Sequence, residues 1–178
     1  PNTNSSYISQ LFTYKFMKIV KKLDELNKIL GPVKNTKKSI GLVLTMGNIH
    51  QGHLSLVDKA RSDNDFVVVS IFINPTQFNN KDDFNYYPRT LNTDIEKLEI
   101  SNCDLLFLPE LTEIYPNGFS TEKTVTRYRG ILCDKFRPGH FEGVTTVVGI
   151  FFELIKPNNS YFGEKDFQQF KLVSELVK

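Results

Sequence analysis

Two histidines three residues apart with a glycine between them, His50-Gln51-Gly52-His53, are the residues of this 178-residue chain best suited to chemistry. They follow the apolar run Ile40 to Leu44 and the turn Thr45-Met46-Gly47, the pattern of a strand, a tight turn and a helix start. The first amides of a helix lack partners within it, and the aligned peptide dipoles put partial positive charge there, so an anion is favoured at that place. Imidazoles at i and i+3 share one face of the first turn. Each can donate a hydrogen bond to a phosphate oxygen without carrying a full charge. Gly47 and Gly52 let a ligand approach the backbone closely. A lone histidine here would read as a cap or a surface group; the pair between glycines reads as part of a nucleotide-handling enzyme. Zinc is the weaker expectation, because the sequence places no third ligand nearby.

Three further clusters could share a site with the histidines. Gly163-Glu164-Lys165-Asp166 precedes a helical pattern whose first turn holds Gln168 and Gln169. The glycine gives a turn and Lys165 a mobile point charge for phosphate, while Glu164 and Asp166 taken singly are ordinary first-turn acids. Asn74-Pro75-Thr76-Gln77-Phe78 ends a very apolar segment. Pro75 forbids continued pairing in a central strand, so Asn74 and Gln77 would project beyond the sheet, where amides read hydroxyls and carboxylates. Capping of the turn by Asn74 is an equal alternative. Arg137-Pro138-Gly139-His140-Phe141 either faces an anion or anchors a loop.

These clusters need a scaffold that brings them together. From Ile19, the residues Val20, Leu23, Leu26 and Leu30 keep helical spacing, and Gly31-Pro32 predicts the stop. Ile40 to Leu44 predicts a buried strand, Leu54 to Arg61 a helix and Phe66 to Ile73 a second strand rich in β-branched residues, hence a βαβ unit with parallel strands. Leu91, Ile95 and Leu98 mark a helix and Asp104 to Leu108 a strand. Val144 to Ile155 reads as a buried helix and Ser160 to Phe162 as a short strand before a last helix from Phe167. The alternation predicts an α/β fold, a doubly wound parallel sheet with helices on both faces. Ligands of such sheets sit beyond the carboxyl ends of the strands, which groups segments 45–53, 74–78, 163–169 and the chain from Pro109 onward, three of the four dense in polar residues. Asn79-Asn80-Lys81 and Tyr115-Pro116-Asn117-Gly118 are turn chemistry.

The length suits one well-buried domain. Apolar residues make up 40% and charged residues 24%, as in ordinary globular proteins. The net charge of +2 comes from scattered Lys and Arg, with no arginine-rich or basic-aromatic stretch, so no nucleic-acid partner is expected. Cys103 and Cys133 form no CxxC pair, which argues against a zinc knuckle or a disulfide framework and for reduced thiols in a cytoplasm. The longest apolar run, Phe66 to Ile73, falls well short of the roughly 18 residues of a membrane span. Residues 1–16 are polar and aromatic without period and read as a non-native or disordered leader, with Met17 as a native start and 17–178 as the domain. The helical pattern from Phe167 still runs at Lys178, so further chain is expected beyond it.

Taken together, the segment Thr45 to His53, Asn74-Pro75-Thr76-Gln77-Phe78, Tyr87-Pro88-Arg89-Thr90, Arg137-Pro138-Gly139-His140-Phe141 and Gly163-Glu164-Lys165-Asp166-Phe167-Gln168-Gln169 closely resemble the pantoate–β-alanine ligase family. The HxGH turn alone would indicate the broad nucleotidylyl-transferase superfamily. The resemblance implies a Rossmann-like domain, a cytoplasmic homodimer, and ATP-dependent adenylation of (R)-pantoate followed by attack of β-alanine, with Mg²⁺ accompanying ATP. By that resemblance Met46, Gly47, Asn48, Ile49, His50, Gln51, Gly52 and His53 lie along ATP, with His53 as proton donor and His50 as a second phosphate contact. Gly163, Glu164, Lys165 and Asp166 also contact ATP, and Lys165 neutralises phosphate charge. Gln77 and Gln169 hold pantoate, Gln77 also lies where β-alanine arrives, and Asn74 and Tyr87 match positions near the substrates. Asp94 is the one candidate for a metal ligand. The chain departs from the family's usual proline at Leu44 and methionine at Thr76. The family's smaller carboxyl-terminal domain, whose Ser-Ser-Arg loop closes over the phosphates, is absent after Lys178, which predicts substrate binding with little turnover. A nucleotidyltransferase that does not ligate and a binding domain without catalysis are the competing readings.

Overall fold

The computed structural model describes residues 16–119 and 133–177. Five strands form one all-parallel sheet in the order β1-β4-β3-β2-β5. In chain order the elements are β1 (Lys18–Val20), α1 (Leu23–Asn35), β2 (Ile40–Thr45), α2 (Gln51–Asp63) and β3 (Phe66–Ile71), followed by a 3-10 turn at Pro75–Gln77. Next come α3 (Lys81–Asn85), α4 (Leu91–Ile100), β4 (Leu105–Phe107) and α5 (Leu111–Ile114). The second described stretch holds α6 (Cys133–Phe136), α7 (His140–Ile155), β5 (Asn159–Tyr161), a 3-10 turn at Glu164–Asp166 and α8 (Phe167–Leu176).

The central strands read as continuous apolar runs because both their faces are covered. Leu42, Val68 and Phe107 point to one side, where α1 (Leu26, Leu30), α7 (Val144, Val148, Phe151) and α8 (Leu172, Val173) close over them. Val43, Val67, Val69 and Leu106 point to the other, under Val57 and Ala60 of α2 and Leu98 of α4. Each buried valine or leucine side chain contributes roughly 1.5–3 kcal/mol relative to an exposed one. β2 and β3 pair in register from Ile40 opposite Phe66 to Thr45 opposite Ile71, so their carboxyl ends stop level and open one crevice.

Two expectations at the amino end are corrected. The segment from Ile19 is the edge strand β1, paired Lys18 to Leu105, and the helix begins at Leu23. Three residues are too few to show a period of two, and Ile19 is exposed while Val20 is buried, which mimics a helical face. Nor does Gly31-Pro32 end the helix, which runs to Asn35 with Pro32 inside it. Proline forfeits one hydrogen bond there, but the extra turn packs Val33 on the core and closes through Thr36 N–H donating to Pro32 O at 3.2 Å. Of the expected leader, residues 1–15 lie outside the described residues, as does Lys178. Asn80, read as turn chemistry, accepts from the Asp82 amide and caps α3.

Candidate active site

β2 hands the chain to a left-handed turn. Gly47 has φ +83° and Asn48 φ +52°. A Cβ on Gly47 would stand 3.2 Å from Ile71 Cγ2 and 3.3 Å from Asp94 Oδ2, so both backbone angle and space call for glycine. Asparagine is one of the few other residues that tolerates the left-handed region. The chain is extended again at His50, the N-cap of α2.

The two imidazoles cap that helix reciprocally. His50 Nδ1 accepts from the Gly52 amide at 3.1 Å, and His53 Nδ1 accepts from the His50 amide at 3.4 Å. Their rings stack with centroids 4.1 Å apart. Because both Nδ1 atoms accept, each ring carries its proton on Nε2 and presents an N–H donor away from the helix. Burial above all, then the neighbouring His50 and Lys165, holds His53 below the usual imidazole range against the pull of Asp94. His53 is therefore a neutral donor near pH 7. Gly52 makes the stack possible: a Cβ there would lie 3.0 Å from His50 Cε1.

Beside the histidines, at the carboxyl ends of β2 and β3, lies a cavity of about 280 Å³. His50, His53, Tyr87, Gln77, Asp166 and Gln169 give it polar groups, and Val144, Val147, Phe72 and Phe162 give it an apolar wall. The volume is just under the roughly 300 Å³ at which pockets for drug-sized ligands begin, which suits a small acid. Burial of the Tyr87 phenol, with Asp94 behind it, raises its pKa, so it stays a neutral donor.

The grouping expected from the sequence is largely realised. Met46, Gln77 and Gln169 all line the cavity. Of the segment 163–166, Asp166 reaches it, while Glu164 and Lys165 are exposed on the turn above and Gly163 leads into that turn, with Lys165 close enough to act on His53 electrostatically. Asn48 and Gln51 are exposed, and Ile49 is buried in the fold. Arg137 and His140, left open between anion and anchor, serve as anchors: both hold the Gln77 carbonyl, His140 Nδ1 at 2.7 Å and Arg137 at 3.4 Å.

Asn74 and Asp94 have roles other than those expected. Asn74 lines the cavity, but its Oδ1 accepts from the Thr76 amide, the Thr76 hydroxyl and the Tyr115 hydroxyl, and its Nδ2 donates to the Gly143 carbonyl. The side chain caps the 3-10 turn while standing in the cavity wall. Thr76 turns its hydroxyl inward to the same network. Asp94 is buried, and its oxygens accept from the Asn48 amide at 3.0 Å, the Ile49 amide at 2.7 Å and the Thr90 hydroxyl at 3.1 Å. A carboxylate so filled does not fit a divalent cation, and among the described residues no three His, Cys, Asp or Glu stand together as a metal site. Sequence reading missed Gly143, whose absent side chain admits the Thr76 carbonyl into the first turn of α7. An isolated glycine in an apolar helix is the signal that could have found it.

Fold and site together define an α/β domain with a cavity beyond the carboxyl ends of a parallel sheet and an imidazole pair fixed on a helix N-terminus. The family model described as Pantoate-beta-alanine ligase matches residues 18–178. Over 162 residues the chain is 47% identical to the pantothenate synthetase of Thermosipho africanus, covering 91% of this chain and 58% of that protein. It superposes on pantoate-beta-alanine ligase from Francisella tularensis, solved with beta-gamma ATP and beta-alanine, with a TM-score of 0.86 and 44% identity over 90% of this chain and 62% of that one. For pantothenate synthetase of Thermus thermophilus the TM-score is 0.83 at 42% identity, covering 90% of this chain and 57% of that one. The chain belongs to the pantoate–β-alanine ligase family, and it spans somewhat more than half the length of these relatives.

Proposed function

We propose that this domain binds (R)-pantoate in the cavity and ATP along the turn above it, and serves the ATP-dependent condensation of pantoate with β-alanine to pantothenate, AMP and pyrophosphate. In the first step a pantoate carboxylate oxygen attacks the α-phosphorus and pyrophosphate leaves. In the second the amine of β-alanine attacks the acyl carbon of the adenylate, AMP leaves with the bonding pair, and the amine gives up a proton. Gln77 and Gln169 offer amides to pantoate's hydroxyls and carboxylate, and the Val144 and Val147 wall takes its methyl groups. Gln77 also faces the incoming β-alanine.

The Nε2–H groups of His50 and His53, with Lys165, meet charge that develops on the phosphates as the α-phosphorus is attacked; His53, held neutral, donates a hydrogen bond there and keeps its proton. Donors fixed before the reaction stabilise the transition state most, each worth on the order of 2.7–4 kcal/mol where a site behaves like an oxyanion hole. Met46, Gly47, Gly52 and the turn Gly163, Glu164, Asp166 flank the nucleotide. Mg²⁺ enters on ATP rather than on a site built by the protein. A homodimer in the cytoplasm completes the reading. The observation that carries it is the capped imidazole pair standing at the rim of a small cavity with Gln77 and Gln169 in its walls.

Calorimetric titration of (R)-pantoate into the chain and into Gln169→Ala tests the proposal, with pyrophosphate release from ATP·Mg²⁺ as the second readout. Saturable binding lost in the variant, and pyrophosphate release that requires pantoate, are expected. A folded chain that binds ATP but not pantoate would instead be a nucleotidyltransferase of another kind. Light scattering at twice the monomer mass is expected for the homodimer.

A further inference from the structure

Within the turn that aims the histidines, the Gly47 amide donates to Thr45 Oγ1 at 3.1 Å, but the next two peptides are held from outside it. Two consecutive residues, Gly47 and Asn48, sit in the left-handed region, and Asn48 is exposed with its side chain outside the fold. The next residue, Ile49, directly precedes the His50 cap. What grips this peptide comes from α4. Asp94 accepts from both the Asn48 and Ile49 amides, and Lys97 Nζ donates to the Ile49 carbonyl at 2.5 Å. Asp94 and Lys97 are three residues apart and therefore share one helical face. One side chain takes the turn's donors and the other its acceptor.

We propose that Asp94 and Lys97 are positioning residues, a two-pronged clamp on residues 48–49 that fixes the direction and the tautomer of His50 and His53. A carboxylate suits the first prong because it only accepts; an asparagine would turn an N–H toward an amide N–H. Through Thr90, whose hydroxyl donates to the same carboxylate, the clamp also ties the turn to the Tyr87–Thr90 segment, and Tyr87 lines the acid cavity. The nucleotide side and the acid side thus share one buried anchor. The charged and titratable groups around the His53 ring are His50 on its own helix, Asp94 on α4 and Lys165 on the turn before α8.

The test is Asp94→Asn and Lys97→Met in the chain, with thermal unfolding to confirm the fold. The chain has three histidines, so imidazole ¹⁵N shifts report each ring separately. Both His50 and His53 are expected in the Nε2–H form in the parent. In either variant the two tautomers mix as the Nδ1 acceptors lose their amides, and in Asp94→Asn the His53 midpoint drops further because a supporting negative charge is gone. This readout needs no substrate. The rate readout rests on the ligase reading: pantoate-dependent pyrophosphate release should fall about 100-fold in kcat, the scale of a 1 Å misplacement, with KM for pantoate little changed. Parent-like tautomers in both variants overturn the clamp whatever the rates do. A lost rate that raised Mg²⁺ restores, with imidazole signals unchanged, makes Asp94 a metal ligand and overturns it too. If Asp94→Asn does not fold, Lys97→Met decides. A folded parent that binds neither pantoate nor ATP fails the ligase reading and leaves the imidazole result standing.

Discussion

Gly143→Ala should damage stability and acid binding together. A Cβ at Gly143 would lie 2.5 Å from the Thr76 carbonyl oxygen, 2.6 Å from its hydroxyl and 2.7 Å from its carbonyl carbon. The shortfall against an ordinary contact of 3.4 Å is 0.9 Å, and the obstacle is backbone, not the end of a flexible chain. Either α7 or the 3-10 turn at 75–77 must move. α7 is held by ten buried residues, so the turn yields, which stretches the Asn74 Nδ2 to Gly143 O bond of 3.2 Å and displaces Gln77. Overpacking of this kind costs about 1–3 kcal/mol, and a backbone clash belongs at the upper end. For a domain of this size a loss of about 2–3 kcal/mol lowers Tm by roughly 4–12 °C. Because Gln77 moves by most of an ångström, affinity for (R)-pantoate should fall by about 10- to 100-fold. Thermal unfolding and calorimetric titration measure the two effects. A variant with unchanged Tm and unchanged affinity would refute the argument that the missing side chain docks α7 on this turn; lost stability with unchanged affinity would show that α7 moved instead.

Three further outcomes are expected. Gly31 is helical but directly precedes Pro32, whose ring crowds the Cβ of a helical residue before it, so Gly31→Ala should gain less than the usual ~0.5–1 kcal/mol, read as a denaturant midpoint that is unchanged or lower at constant slope. Ser70 Oγ is buried without a hydrogen-bond partner, so Ser70→Ala removes no bond; stability should hold or rise by up to about 1 kcal/mol, and a clear loss on unfolding would contradict this. His53 is held below its ordinary 6.5 in the fold, so the unfolded chain binds a proton at higher pH than the folded one. Its contribution is full above pH 6.5 and is lost as pH falls below that value, until the folded ring also protonates. Denaturant midpoints of parent and His53→Gln across that range should diverge with this sign, and a parent that gains stability in mild acid relative to the variant would reverse it.

What the sequence made legible follows from what each residue answers to. β2 and β3 are buried on both faces, so their valines, leucines and isoleucines announce strands without help from neighbours. β1 is three residues at a sheet edge, and no period can be read from it. The same division runs through the site. His50, His53, Gln77 and Gln169 can be grouped from sequence because their chemistry is in their side chains and their spacing places them at strand ends, and all four line one cavity. For Asn74 one amide serves equally to cap a turn or to bind a ligand, and the cap is visible only once the 3-10 turn and the Tyr115 hydroxyl, 41 residues on, are in place.

Asp94 marks the limit of such reading. An acid near a phosphate site reads as a metal ligand by type, yet its partners are the amides of residues 48 and 49, 46 and 45 positions away, and amides carry no residue identity. Gly143 is opaque for the same reason, since what it accommodates is a backbone carbonyl. Residues that touch a ligand must have the right chemical type, whereas residues that shape the turns beneath them answer to backbone, which is alike at every position. A site's contacts can therefore be proposed from sequence, but its supports emerge only once the fold has brought distant backbone into reach.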